Sequence, residues 1–193
     1  DSRVWSVNSG SFGSYNDVSG VNNLALGNGI FILNNKIEEG ATKDTNDIIR
    51  KKDIVLSNYK LLIPTRNNVA LGNAITIASG VRNSLVLGTN SSIGDEKIDN
   101  NDITDSMVLG NGASVIADVK KGDNFKGNQA MAIGALAVAT LNNSIALGHS
   151  SKTDYSVEDL EKEGWMPKGI LSVPSSTKVG ILSVGSKGAE RRI

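Results

Sequence analysis

His149 is the one histidine among 193 residues, and there is no cysteine. Imidazole is the side chain that moves protons near neutral pH, so any catalysis would start there. A general base needs a group to orient it, and no Asp or Glu stands at a fixed spacing from His149. Nucleophile elbows of the form G-x-S-x-G, phosphate-binding loops and His/Cys sets at metal-ligand spacing are all missing. Gly27-Asn28-Gly29 and Gly110-Asn111-Gly112 look like dinucleotide loops, but no helical pattern follows either. Asp99-Asn100-Asn101-Asp102 offers oxygen ligands without the spacing of a calcium loop. The expectation is no catalytic residue, no bound metal and no cofactor.

Composition points the same way. Lys and Arg number 20, Asp and Glu number 20, and the formal net charge is zero. A nucleic-acid or anionic-membrane binder needs a basic field, so neither partner is expected. Without cysteine there is no disulfide framework, zinc ribbon or thiol nucleophile. No apolar run approaches the 18 or so residues of a membrane-spanning helix. Aromatic residues make up only 4%, although aromatics bury the largest areas per residue. The first residues, Asp1-Ser2-Arg3-Val4-Trp5, do not read as a secretion leader. The abrupt end at Glu190-Arg191-Arg192-Ile193 predicts that something continues beyond it.

The elements that position these residues are set by a repeat. A polar pair, an apolar residue, a small or β-branched residue, an apolar residue and a glycine recur six times. The first clear copy is Asn22-Asn23-Leu24-Ala25-Leu26-Gly27 and the last is Asn143-Ser144-Ile145-Ala146-Leu147-Gly148. Between them the terminal glycines are Gly72, Gly88, Gly110 and Gly134. Two degenerate copies are read at residues 8–13 and 52–57, the latter with Ser57 in the glycine place. The copies end at 13, 27, 57, 72, 88, 110, 134 and 148, so the shortest step is 14 residues and longer steps carry insertions. A second short strand follows each glycine, as in Ala74-Ile75-Thr76-Ile77-Ala78.

Strands this short do not stand alone as hairpins. Stacked as a coil of parallel strands, each pairs with the turns above and below. Alternation puts the flanking residues (Leu24 and Leu26, Val69 and Leu71) on one face. It puts the middle residue (Ala25, Ala70, Val86, Val108, Ala132, Ala146) on the other. Size suggests that the large set fills the coil and the small set faces out. A column of small apolar residues pointing outward predicts close packing against another copy; a monomeric coil with indifferent small residues is the plainer alternative. The Asn columns are expected at corners, where amides stack and Asn tolerates positive φ.

These residues resemble a known family. The unit N-[NS]-φ-[AV]-[LI]-G, followed by x-x-A-x-A, is similar to the head repeat of YadA-like trimeric autotransporter adhesins. Ser183-Val184-Gly185-Ser186-Lys187-Gly188-Ala189-Glu190-Arg191-Arg192-Ile193 resembles the neck that follows such heads. The resemblance covers residues 8–150 and 178–193. It implies an all-β fold: a left-handed parallel β-roll, with three rolls packed as a homotrimer. It also implies a neck crossing between chains into a coiled-coil stalk, and type V secretion to the cell surface with anchoring in the bacterial outer membrane by parts outside this sequence. The implied function is multivalent adhesion to host cell receptors, extracellular-matrix proteins or other bacteria, with no membrane contact by this portion. Gly185 and Gly188 would turn the neck chain, and Glu190, Arg191 and Arg192 would form ion pairs between chains.

The expected organisation is a head at 1–151, a cap at 152–178 and a neck at 179–193. The head carries charged insertions at 35–52, 95–104 and 118–127, read either as receptor contacts or as solvated loops. In the cap, Ser156-Val157-Glu158-Asp159 fits a capping box and predicts a short helix at 157–163. Residues 169–173 and 179–184 read as two strands of a hairpin around Pro174-Ser175-Ser176-Thr177, and Trp165 as a packing residue rather than a ligand anchor. Two other functions stay open: a trimeric β-helix enzyme, acyltransferase-like, with His149 at an interface, and a purely structural spacer in a surface fibre.

Overall fold

The structure is a computed structural model that describes residues 2–33, 65–98, 101–117, 126–153, 180–186 and 189. Among them are fifteen strands and no helix. Seven short strands form one sheet, in the order β1 (Arg3–Val7), β3 (Asp17–Val21), β5 (Phe31–Ile32), β7 (Thr76–Ile77), β9 (Ser92–Ile93), β11 (Ser114–Val115) and β13 (Val138–Ala139). Eight form the other: β2 (Gly10–Phe12), β4 (Leu24–Asn28), β6 (Val69–Asn73), β8 (Leu85–Thr89), β10 (Met107–Asn111), β12 (Met131–Ile133), β14 (Ile145–Leu147) and β15 (Leu182–Ser183). Every strand pairing is parallel, and the chain alternates between the sheets. This is the coil of parallel strands that the repeat predicts.

Register follows the repeat. Leu24 lies beside Val69, Val69 beside Leu85, Leu85 beside Met107, Met107 beside Met131 and Met131 beside Ile145. The degenerate copy at 8–13 takes its place as well, with Gly10 beside Leu24. The copy read at 52–57 lies outside the described residues. In the stack, β4 pairs directly with β6, so one step of 45 residues joins those turns.

The facing of the strands is the reverse of that expected from size. The middle residues Ala25, Ala70, Val86, Val108, Ala132 and Ala146 are fully buried in the core. The flanking residues point outward, and Leu87 and Leu109 are 44% and 39% exposed. The physical reason lies in the opposite sheet. Its inward positions hold Val18, Ile32, Ile77, Ile93 and Val115, all fully buried, and Ile30 and Ile75 add to them. Large side chains from one wall fill the thin interior, so the other wall accepts only side chains no larger than Val at native packing density.

Two ladders of polar side chains fix the corner before each strand of the eight-stranded sheet. At the first polar position Asn22, Asn67, Asn83, Asp105, Gln129 and Asn143 all have φ between 52° and 56°. Asn22 donates to Asn67 (3.1 Å), Asn67 to Asn83 (2.9 Å) and Asn83 to Asp105 (3.0 Å). This corner ladder was expected. The second polar position is buried instead. There Asn68 donates its backbone N–H to Asn23 Oδ1 (2.9 Å) and accepts from the Ser84 N–H through Oδ1 (3.0 Å). The Ser84 hydroxyl accepts the Ser106 N–H (3.2 Å), and the Ser106 hydroxyl accepts the Ala130 N–H (3.3 Å). Buried backbone donors at the corner are thus satisfied from one turn to the next. The repeat glycine serves close approach: Gly72 has φ 137°, and a Cβ there would run into the carbonyl of Gly88.

Extra residues enter at one seam. Turns of 14 residues run straight from the seven-stranded sheet into the next corner. The longer turns depart after Ile32, Ile93 and Val115, each the last residue of its strand. Two of them rejoin at a third, narrow ladder, where Arg66 bridges Val21 and Arg82, and Arg82 bridges Thr104. Gln129 donates its N–H to Thr104 O (2.8 Å) where the chain returns from the turn that departs after Val115. The flanks of the expected insertions therefore share one edge of the coil.

The cap helix expected at 157–163, the strand at 169–173 and Trp165 lie outside the described residues. Leu182 and Ser183, expected in the second hairpin strand, form β15, which pairs in parallel with β14 (Ile145 beside Leu182, Ala146 beside Ser183). The pattern Ile181-Leu182-Ser183-Val184-Gly185 is one more copy of the repeat, with Ser183 buried in the small place.

Candidate functional site

The two sheets present unlike outer faces. Outward positions of the seven-stranded sheet run Asp17, Phe31, Thr76, Ser92, Ser114 and Val138 in register. This mixture is ordinary for a sheet face in water. The eight-stranded sheet differs. One outward column runs Leu24, Val69, Leu85, Met107, Met131 and Ile145, and a second runs from Leu26 through Leu71, Leu87, Leu109 and Ile133 to Leu147. No charged or hydroxyl side chain interrupts either column over these six turns. Phe12 extends the second column at one end and Leu182 the first at the other, 69% and 58% exposed.

Period-2 alternation builds this face. Each copy places two aliphatic residues on the same side of a strand, and parallel in-register stacking turns two per strand into two continuous stripes. Neighbouring strands lie about 4.8 Å apart, so the stripes are unbroken. A soluble monomer rarely leaves a contiguous apolar patch of this kind in water.

The remaining sequence candidates fall away from this face or from each other. His149 is exposed in the turn after β14, and its Nε2 lies 3.5 Å from the Ser150 hydroxyl, the outer limit for a hydrogen bond. Among the described residues no three His, Cys, Asp or Glu cluster to hold a metal ion. Asp102 pairs with Arg82 at 2.8 Å in the narrow ladder; both are partly exposed, so the pair contributes below about 1 kcal/mol. Of the neck residues, Gly185 is buried and its carbonyl accepts from the Lys152 N–H (2.7 Å) and the Ser183 hydroxyl (2.9 Å). Ser186 and Ala189 form an antiparallel bridge, with the Ala189 N–H donating to Ser186 O (2.8 Å). Gly188, Glu190, Arg191 and Arg192 lie outside the described residues.

Sequence reasoning found the stripes but put them on the wrong side, and it read the strand at 179–184 as part of a hairpin rather than as a further turn of the stack. The signal for β15 was Leu182-Ser183-Val184-Gly185, obscured by Ser where the other copies carry Ala or Val. In comparisons with known proteins, the chain matches no family model, no curated protein and no solved structure.

Proposed function

We propose that this chain is the head of a trimeric bacterial surface adhesin, a left-handed β-roll that works by display and multivalent binding. The observation that carries the proposal is the doubly striped apolar face of the eight-stranded sheet. Two further copies of the same chain, related by a three-fold axis, would cover it. A face made of identical repeats is self-complementary in chemistry, and homo-oligomers are closed and symmetric in most cases. Burying what a partly exposed aliphatic side chain still shows to water gives up to about 1 kcal/mol. About a dozen of them per face is comparable to the cost of association, about 4–15 kcal/mol.

The resemblance to YadA-like heads supplies the rest of the reading. The neck passes to a neighbouring chain, and a stalk and outer-membrane anchor follow. Host cells, matrix proteins and other bacteria are the partner classes. Three identical copies turn weak single contacts into avidity, and the unpaired outer face of the seven-stranded sheet, with the seam beside it, is the surface left for a ligand. The test is a binding screen of the assembled head against host cells, matrix proteins and bacteria. Adhesion to one of these classes is expected; an assembled head that binds none would make the chain a spacer.

A further inference from the structure

The outer face of the seven-stranded sheet carries an open depression of about 380 Å³, beside the seam. Thr76 and Ser92 form its floor, Gly94, Asp95 and Glu96 one wall, and Ile116 and Ala117 the other. Its size falls in the range of small-ligand sites, about 300–1,000 Å³.

Three features give it a chemistry. First, three of its polar side chains are unused. The hydroxyls of Thr76 and Ser92 and the Glu96 carboxylate make no hydrogen bond with the described residues. The neighbouring Ser91 hydroxyl, which is buried, donates to Gly110 O at 2.7 Å. Second, the acidic wall is rigid. Asn101, 4% exposed, accepts the Asp95 N–H (2.7 Å) and donates to Asp95 O and Ile98 O (both 3.0 Å) and to Ser79 O (3.1 Å). Asp95 Oδ1 accepts the Lys97 N–H (2.9 Å). A wall held in this way loses little entropy when a ligand binds. Third, an aromatic ring stands next to the floor. Phe31 is 44% exposed, faces out and lies beside Thr76 in register, about 4.8 Å away along the stack.

Carboxylates that accept paired hydroxyls, side-chain hydroxyls that both donate and accept, and an adjacent ring with an apolar flat face make a set that matches a pyranose. The equatorial hydroxyls of a sugar meet the floor and the acidic wall, and its C–H face meets Phe31 or Ile116. A bare cation does not fit, since the described residues provide no cluster of ligands for one. An anionic sugar would face Asp95 and Glu96. The geometry points to a binding site for a neutral hexose unit of a surface glycan. The site is built within one chain, so it goes beyond the adhesion reading and does not depend on trimer assembly.

The experiment uses the 193-residue chain on an array of neutral, sialylated and sulfated oligosaccharides of animal and bacterial type. Titration calorimetry then follows with the neutral oligosaccharide retained best. Binding to neutral glycans is expected, weakened about tenfold or more by Glu96→Gln and by Phe31→Ala. Ser92→Val, in the floor, should weaken it as well. Far-UV circular dichroism and sedimentation, run on every variant, separate loss of the site from loss of fold or assembly. A folded monomer that binds the sugar would sink the trimer reading and leave this site standing. Absence of neutral-glycan binding, preference for anionic glycans, or affinity unchanged in both Glu96→Gln and Phe31→Ala would overturn it.

Discussion

Asn67 and Asn68 are adjacent and chemically identical, yet they should respond oppositely to substitution. Asn67 is exposed with φ 56°, so Asn67→Gly keeps the corner geometry and should change stability by only a few tenths of a kcal/mol. Asn68 is fully buried and donates to Val81 O (2.9 Å) while accepting the Ser84 N–H. Asn68→Ala leaves both backbone groups unsatisfied and should cost about 2–4 kcal/mol in denaturant unfolding. Gly72→Ala combines a strained positive φ with a clash against Gly88 and should cost about 3 kcal/mol or more. The sequence made the first Asn of each pair legible as a corner residue. It did not show that the second is buried, because Asn, Ser and Ala all occupy that place and their role emerges only from the hydrogen bonds between turns.

Within a strand, alternation divides residues into two sets but leaves open which set faces the core. Val86 and Leu87 make the decisive pair: Val86 is fully buried and Leu87 is 44% exposed. Val86→Lys places a charge in the coil interior and should abolish the fold, seen as loss of the cooperative melt. Leu87→Lys should preserve the fold by circular dichroism and weaken self-association. The reverse result for the two variants would restore the facing suggested by size. Size misled because the eight-stranded sheet is only one wall of the interior; the isoleucines of the opposite wall, such as Ile77 and Ile93, already fill it. Those isoleucines sit in strands of two residues, and the alternation of Ala74-Ile75-Thr76-Ile77-Ala78 in the sequence does not show that they fill the interior on their own.

Across the whole molecule, the 14-residue period made the stack and its parallel strands legible, since identical units can pair only with their equivalents. The seam was legible too, because insertions lengthen the step between copies without disturbing register. The direct pairing of β4 with β6 was not, because the 45 residues between equivalent positions carry no change of register that the sequence could announce. The proposed assembly rests on the face that the stack creates. Leu109→Lys together with Leu87→Lys should halt association while leaving glycan binding at the opposite face unchanged. The most direct test is sedimentation equilibrium of the 193-residue chain over a range of concentrations, beside this double variant. The expected result is a mass rising to three times 20.3 kDa for the unaltered chain, with the variant remaining a folded monomer. A folded monomer of 20.3 kDa at every concentration of the unaltered chain would contradict the claim that copies of this chain bury the striped face.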